Sequence, residues 1–173
     1  MAQALTCATR FVLAIDGRCG AGKTTLSGQI AQKYGAFVVH LDDFFLPKGR
    51  EKSGHGNLEK DRLLKEVLSP LSRNEEVCYR IFSCKEQCYT DCVIIPKGAS
   101  VVVEGSYALL KEFRFAYTHS LFLTLSEAEQ ERRIRERNGD EGWERFRLRW
   151  IPDEERYIEQ QRPEEYCDFY LIT

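Results

Sequence analysis

Residues Gly17-Arg18-Cys19-Gly20-Ala21-Gly22-Lys23-Thr24 spell G-x-x-x-x-G-K-[ST], and the apolar run Phe11-Val12-Leu13-Ala14-Ile15 stands directly before them. A strand, this glycine-rich turn and a following helix together make a phosphate-binding loop. The glycines open backbone conformations closed to other residues, so successive N–H groups turn inward around a phosphate chain. The pattern assigns Gly17, Cys19, Gly20, Ala21, Gly22, Lys23, Thr24 and Thr25 to nucleotide phosphates. Lys23 is expected to reach the β and γ groups, and the Thr24 hydroxyl to ligate Mg²⁺. A chance match in a glycine-rich turn would lack the strand in front and the helix, Thr24 to Tyr34, behind.

At 173 residues and 43% hydrophobic, the chain suits a single core, so one domain over 1–173 is expected. A net charge of −2 argues against nucleic-acid binding through a basic surface and leaves a small molecule as the expected partner. No apolar stretch approaches the ~20 residues that a bilayer crossing needs, which predicts no membrane association. Met1-Ala2-Gln3-Ala4-Leu5 has neither the basic nor the apolar block of a secretion signal, and a cytoplasmic protein is expected. Seven cysteines, an odd number, then read as free thiols. Cys84, Cys88 and Cys92 stand four apart with Cys78 upstream, but without the C-x-x-C pair of structural zinc. Packing at same-face positions of short strands is the competing expectation.

The pattern along the chain alternates strands and helices. After the loop helix, Gly35 suits the left-handed residue past a helix end, and Ala36 to His40 reads as a strand running into Leu41-Asp42-Asp43-Phe44-Phe45. The polar, glycine-rich Lys48 to Asn57 reads as a mobile loop. Leu58, Leu63, Leu64, Val67, Leu68 and Leu71 have helical spacing and predict a helix from Leu58 to Leu68 stopped at Ser69-Pro70, and Val77 to Ile95 a β-hairpin. Val101-Val102-Val103 marks a buried parallel strand, Leu121 to Leu125 another and Phe169 to Ile172 a last one. Helices are expected over Glu127 to Arg137 and over Trp143 to Gln161, the latter broken near Ile151-Pro152. This alternation implies an α/β fold with a mainly parallel sheet covered on both faces.

In such a sheet, ligands collect beyond the carboxyl ends of the strands, where three acidic residues stand. Glu104 closes the Val101 to Val103 strand and is expected to serve the magnesium shell through a water, or else to cap the turn at Gly105-Ser106. Asp42 and Asp43 close the second strand, and Asp42 suits a base for an attacking hydroxyl. Neighbouring residues point in different directions, so one of the two faces the phosphate. Turn capping before Phe44 is the other role open to the pair. Arg132, Arg133, Arg135 and Arg137 are either cations over a transferred phosphoryl group or a solvated face. Glu129 with Arg133 and Glu131 with Arg135 are i,i+4 pairs of ~0.3–0.5 kcal/mol each, which account for an exposed helix without any function. His40, His55 and His119 are too scattered to argue for a metal site or a base.

These segments resemble the uridine kinase family of P-loop kinases, in the wider group with phosphoribulokinase and bacterial pantothenate kinase. The resemblance spans most of the chain. Ile15-Asp16-Gly17 enters the loop as in that family, Leu41-Asp42-Asp43-Phe44-Phe45 is similar to its Q-D-x-F-Y segment, and Val103-Glu104-Gly105 to its E-G strand end. Arg132-Arg133 with Arg137 resembles the lid arginines, and Trp150 to Glu155 fits the helix after the lid. The resemblance implies a three-layer P-loop NTPase fold: a mainly parallel five-stranded sheet, helices on both faces, a small β-hairpin acceptor region within about 44–95 and an arginine-bearing lid at about 126–142. It implies ATP and Mg²⁺ as cofactors, Asp42 as the base, Lys23, Arg133 and Arg137 on the phosphates, and Thr24 with Glu104 at magnesium. The nucleoside-holding segments have Asn57-Leu58-Glu59 and Phe82-Ser83-Cys84 as nearest counterparts, which puts Asp42, Glu59 and Phe82 at the substrate. Both counterparts lack family polar groups, the His-Pro after the first and the tyrosine hydroxyl and aspartate of the second. The implied activity is transfer of the ATP γ-phosphate to a hydroxyl, with a uridine- or cytidine-like nucleoside favoured. Pantothenate or a sugar phosphate as acceptor, or a non-catalytic nucleotide-dependent switch, are the alternatives, and the family admits a homo-oligomer.

Overall fold

A computed structural model describes Met1, Leu5, residues 10–46 and residues 57–173. Most of the expected loop from Lys48 lies outside the described residues. Five strands form the central sheet: β1 (Val12–Gly17), β2 (Phe37–His40), β5 (Val101–Glu104), β6 (His119–Thr124) and β7 (Phe169–Ile172). β3 (Val77–Ser83) and β4 (Cys88–Ile95) make a separate antiparallel hairpin. The sheet order is β2-β5-β1-β6-β7, and every neighbouring pair runs parallel.

Side-chain alternation along the strands divides the core into two layers. Val12, Ala14, Val101 and Val103 face one cluster, where the hairpin and the later helices pack. Leu13, Ile15 and Val102 face the other, with Ile30 of α1 (Lys23–Tyr34). A sheet buried on both faces needs the near-continuous apolar strands found in β1 and β5, each buried along its whole length. α1 ends where expected, with Gly35 in the left-handed conformation at φ 64°.

Two prolines that predict breaks sit inside continuous helices. Leu58 makes a β-bridge to Phe45, and α2 then runs over 60–72 as Lys60–Leu63, a π turn Leu64–Leu68 and Ser69–Ser72. The long C-terminal arm comprises α3 (Glu127–Arg145), a π turn Phe146–Trp150 and α4 (Ile151–Gln161). In both cases the π turn ends one residue before the residue preceding proline. Its i→i+5 bonds, Ser69 N–H to Leu64 O and Ile151 N–H to Phe146 O, widen the backbone. A proline lacks the N–H and crowds the carbonyl four residues back, so a widened turn lets Pro70 and Pro152 stay within the helix. The helix expected to stop at Arg137 continues to Arg145, interrupted at Gly139 with φ 70° and ψ −179°. A short helix, α5 (Pro163–Tyr166), leads into β7.

The hairpin alternates as expected only on β3, where Val77, Tyr79 and Phe82 point to the core. β4 is exposed over most of its length. Cys78, Cys84, Cys88 and Cys92 are therefore at the surface rather than packed, with Cys78 Sγ 3.3 Å from Cys92 Sγ. Among the described residues no cluster of three or more His, Cys, Asp or Glu is placed to hold a metal. No described helix is long and apolar enough to cross a membrane.

The carboxylate of Asp16 ties the end of β1 to the turn after β5 and to α4. It is 1% exposed and accepts from Gly17 N–H (2.6 Å), Tyr107 N–H (3.1 Å), Leu109 N–H (2.8 Å) and the Tyr157 hydroxyl (2.6 Å). Burial pushes its pKa up to about 6, against the pull of these donors and of Lys23. Relative to an ordinary value of 3.8, that shift is worth about 3 kcal/mol. The folded protein thus holds a proton that the unfolded chain releases, and the Asp16 contribution to stability falls as pH rises from about 4 to about 6. Asp16→Asn, which does not titrate, is expected to cost most near pH 4. In urea unfolding of both proteins, that cost should shrink by up to about 3 kcal/mol between pH 4 and pH 7.

Candidate functional site

Parallel pairing brings three strand ends to one level. His40 stands in register with Glu104, and Glu104 with Ile15, so β2, β5 and β1 deliver their terminal side chains around the start of the loop. This is the carboxyl edge of the sheet, where α/β proteins place ligands. Gly20 and Gly22 have φ of 80° and 87°, the left-handed conformations that turn the loop's N–H groups inward.

A cavity of about 520 Å³ opens over the loop. Of the residues expected there, Cys19, Gly20, Gly22, Lys23, Thr24, Thr25, Asp42, Glu104, Arg133 and Arg137 line it. Gly17 and Ala21 do not line it; Ala21, within the loop, is buried against the core. Lys23 Nζ is folded onto its own loop, donating to Gly17 O (2.5 Å), Arg18 O (3.1 Å) and Ser106 Oγ (3.2 Å). The Thr24 hydroxyl donates to Glu104 Oε1 at 3.1 Å. A hydroxyl and a buried carboxylate beside each other form the oxygen-donor set that a hard divalent cation takes.

Asp42 follows β2 in a 3₁₀ turn, Leu41–Phe44, and lines a second cavity of about 460 Å³ as well as the first. Asp43 lines only the second, with its carboxylate 3.4 Å from the Tyr79 hydroxyl. Desolvation within the cleft, reinforced by the Glu104 charge, raises the pKa of Asp42 above the ordinary value. The rest of the second cavity is Phe45 and the hairpin residues Ile81, Phe82, Ser83, Cys84, Glu86, Thr90 and Asp91. Phe82 is thus present, whereas Glu59 lines neither cavity and lies 3.9 Å from Arg62. Leu58 bridges Phe45 at this point, and the following turn directs Glu59 toward its own helix.

The arginines divide by helix phase. Arg132 and Arg135 pair with carboxylates on the exposed side of α3. Arg133 keeps its i,i+4 bond to Glu129 (2.7 Å) and also donates to Gly20 O at 3.1 Å, reaching the loop. Arg137 sits over the Phe146 ring, 5.6 Å from its centroid.

Several residues stand at or beside the cavity with no role assigned from the sequence. His40, one of three scattered histidines, places Nδ1 2.6 Å from Glu104 Oε1. His40 does not line the first cavity, whereas Gly105, Ser106, Tyr107, Phe146, Trp150 and Glu154 do. The end-of-strand rule applied to His40 would have found it, because it closes β2 as Glu104 closes β5. The others come from helix and loop positions with no local signature.

No protein-family model and no curated protein sequence matches the chain. Solved structures do match. A possible uridine kinase from Bacillus stearothermophilus superposes with a TM-score of 0.75 at 19% identity, covering 98% of this chain and 94% of that one. A candidate fructose transport system kinase from Silicibacter sp. TM1040 gives 0.71 at 22% identity over 94% and 89%. YFH7 of Saccharomyces cerevisiae, described as a candidate P-loop kinase with a circular permutation, gives 0.67 at 11% identity over 99% and 95%. The fold is that of the uridine kinase-like P-loop kinases.

The His40–Glu104 contact yields a prediction for the magnesium-free protein. The hydrogen bond and charge of Glu104 raise the His40 pKa above 6.5, outweighing desolvation. The pair's contribution is full below pH 6.5 and is lost as pH rises through the raised value. An NMR titration should find His40 above 6.5, and Glu104→Gln should lower it, with Asp42 and Asp43 still pulling it upward.

Proposed function

We propose that the protein is an ATP- and Mg²⁺-dependent kinase that transfers the γ-phosphate to a hydroxyl of a small molecule, with a nucleoside as the favoured acceptor. The observation that carries this reading is the position of Asp42. One carboxylate of raised pKa lines both the cavity over the phosphate loop and the cavity against the hairpin. A base at that junction touches donor and acceptor at once.

The loop from Gly17 to Thr25 holds the phosphates, and Lys23 exchanges its loop oxygens for the β and γ groups. Thr24 and Glu104 would hold magnesium, which would supply positive charge to offset that of the phosphates. Asp42 takes the proton of the acceptor hydroxyl as its oxygen attacks the γ-phosphorus. The bond to the β–γ bridging oxygen breaks, and ADP leaves. Arg133 and Arg137 offset the charge on the transferred group, their planar cations suiting phosphate oxygens.

The composition of the second cavity favours an uncharged acceptor over pantothenate or a sugar phosphate. Its described lining contributes Asp42, Asp43, Glu86 and Asp91, and no Lys or Arg side chain among the described residues. A carboxylate or phosphate there would meet like charges, whereas Ser83, Thr90 and the Phe82 ring suit a hydroxylated planar molecule.

Asp42→Asn is expected to lower acceptor-dependent ADP release about 10²–10⁴-fold while leaving Mg-ATP affinity nearly unchanged. The measurement uses a panel of uridine, cytidine, pantothenate and sugar phosphates. Binding of ATP without acceptor-dependent release would point instead to a nucleotide-dependent switch.

A further inference from the structure

Glu154 is a fully buried carboxylate with no part in the proposed transfer, 2% exposed and at the wall of the phosphate cavity. It belongs to α4, yet the groups that donate to it belong to the loop and to the turn after β5. Cys19 N–H donates to both oxygens, at 2.7 and 3.0 Å, the Cys19 thiol donates at 2.8 Å, and the Ser106 hydroxyl at 3.0 Å. Its neighbours on α4 grip the same stretch of chain, Glu155 through an ion pair to Arg18 and Tyr157 through its bond to Asp16.

Ser106 connects this carboxylate to the loop lysine. Its hydroxyl accepts from Lys23 Nζ and donates to Glu154 Oε2. When Lys23 turns to a phosphate, Ser106 loses one partner and Glu154 loses its bridge to the lysine. The same helix, through the π turn, carries Trp150 and Phe146 into the cavity beneath Arg137. A carboxylate bonded to the loop, one helical turn from the Trp150 side chain that walls the cleft, makes a mechanical link between the two.

We propose that Glu154 is a positioning residue that couples phosphate occupancy of the loop to the position of the arm formed by the 146–150 turn and α4. The inference rests on the nucleotide-binding part of the proposed function and not on the identity of any acceptor. Removing the charge while keeping the side-chain shape should leave a loop that binds phosphate but no longer moves the arm.

Trp150 reports on this directly, because it lines the cavity while the other tryptophan, Trp143, is buried. In a Trp143→Phe background, saturating Mg-ADP is expected to change Trp150 emission. Adding Glu154→Gln should keep Mg-ADP affinity within about tenfold, measured by equilibrium dialysis, yet lose the emission change. A merely structural role predicts the opposite pattern, a lowered melting temperature with the emission change preserved, and that result overturns the proposal. An Mg-ADP complex with no emission change before Glu154 is altered overturns it too. If Glu154→Gln does not fold, Ser106→Ala, which cuts the bridge to Lys23, decides by the same two readings. Failure of the parent protein to bind Mg-ADP at all would remove the nucleotide reading itself, a result that dialysis separates from loss of coupling.

Discussion

Asp16 is the point on which the site's geometry depends. Taking a carboxylate out of water costs several kcal/mol unless donors surround it. Here three backbone N–H groups and one hydroxyl do so, drawn from β1, from the turn after β5 and from α4. Those donors fix the exit of β1 into the phosphate loop and the chain just past Glu104 with one group. The raised pKa shows that desolvation still outweighs the donors. The arrangement therefore trades stability at neutral pH for a fixed relation between loop, strand end and helix.

Within one turn the same helix reaches the loop twice, through Glu154 and Glu155, and the end of β1 once, through Tyr157. Helix phase makes this possible. Each residue of an α-helix advances about 100°, so the extra residue in the 146–150 π turn rotates everything after it by roughly that angle. Without it, the face now bonded to Asp16 and Cys19 would turn aside. Pro152, which ordinarily ends a helix, is accommodated by the same distortion that sets the phase.

What the sequence made legible was local or periodic. The loop, its preceding strand, the left-handed Gly35 and the β-branched Val101 to Val103 each carry their signal within a few residues, and the sheet follows from their alternation. Strand-end carboxylates were legible for the same reason, since topology alone takes Asp42 and Glu104 to the ligand edge. Glu154 was not, because its partner Cys19 lies 135 residues away and nothing near Glu154 distinguishes it from the acidic residues around it. The prolines misled in a consistent way. Pro70 and Pro152 obey the rule that the α-helical bond is lost, but a wider turn offers another bond that sequence periodicity does not reveal. The hairpin cysteines face solvent because β4 has no layer beyond it.

Lys23, Glu104 and Arg133 each have partners within the protein. Lys23 uses three donors on its own loop and Ser106, Glu104 is shared by Thr24 and His40, and Arg133 is held between Glu129 and Gly20 O. Ligand binding is then an exchange of partners rather than a filling of vacant ones. The gain on binding phosphate is the difference between charge-assisted bonds to phosphate and the internal bonds given up, each of about 1.5–3 kcal/mol. Small differences of this kind let a phosphate pull Lys23 away from Ser106. They also make each rearrangement consequential for whatever shares that hydroxyl, and in this fold the sharer is the carboxylate of α4.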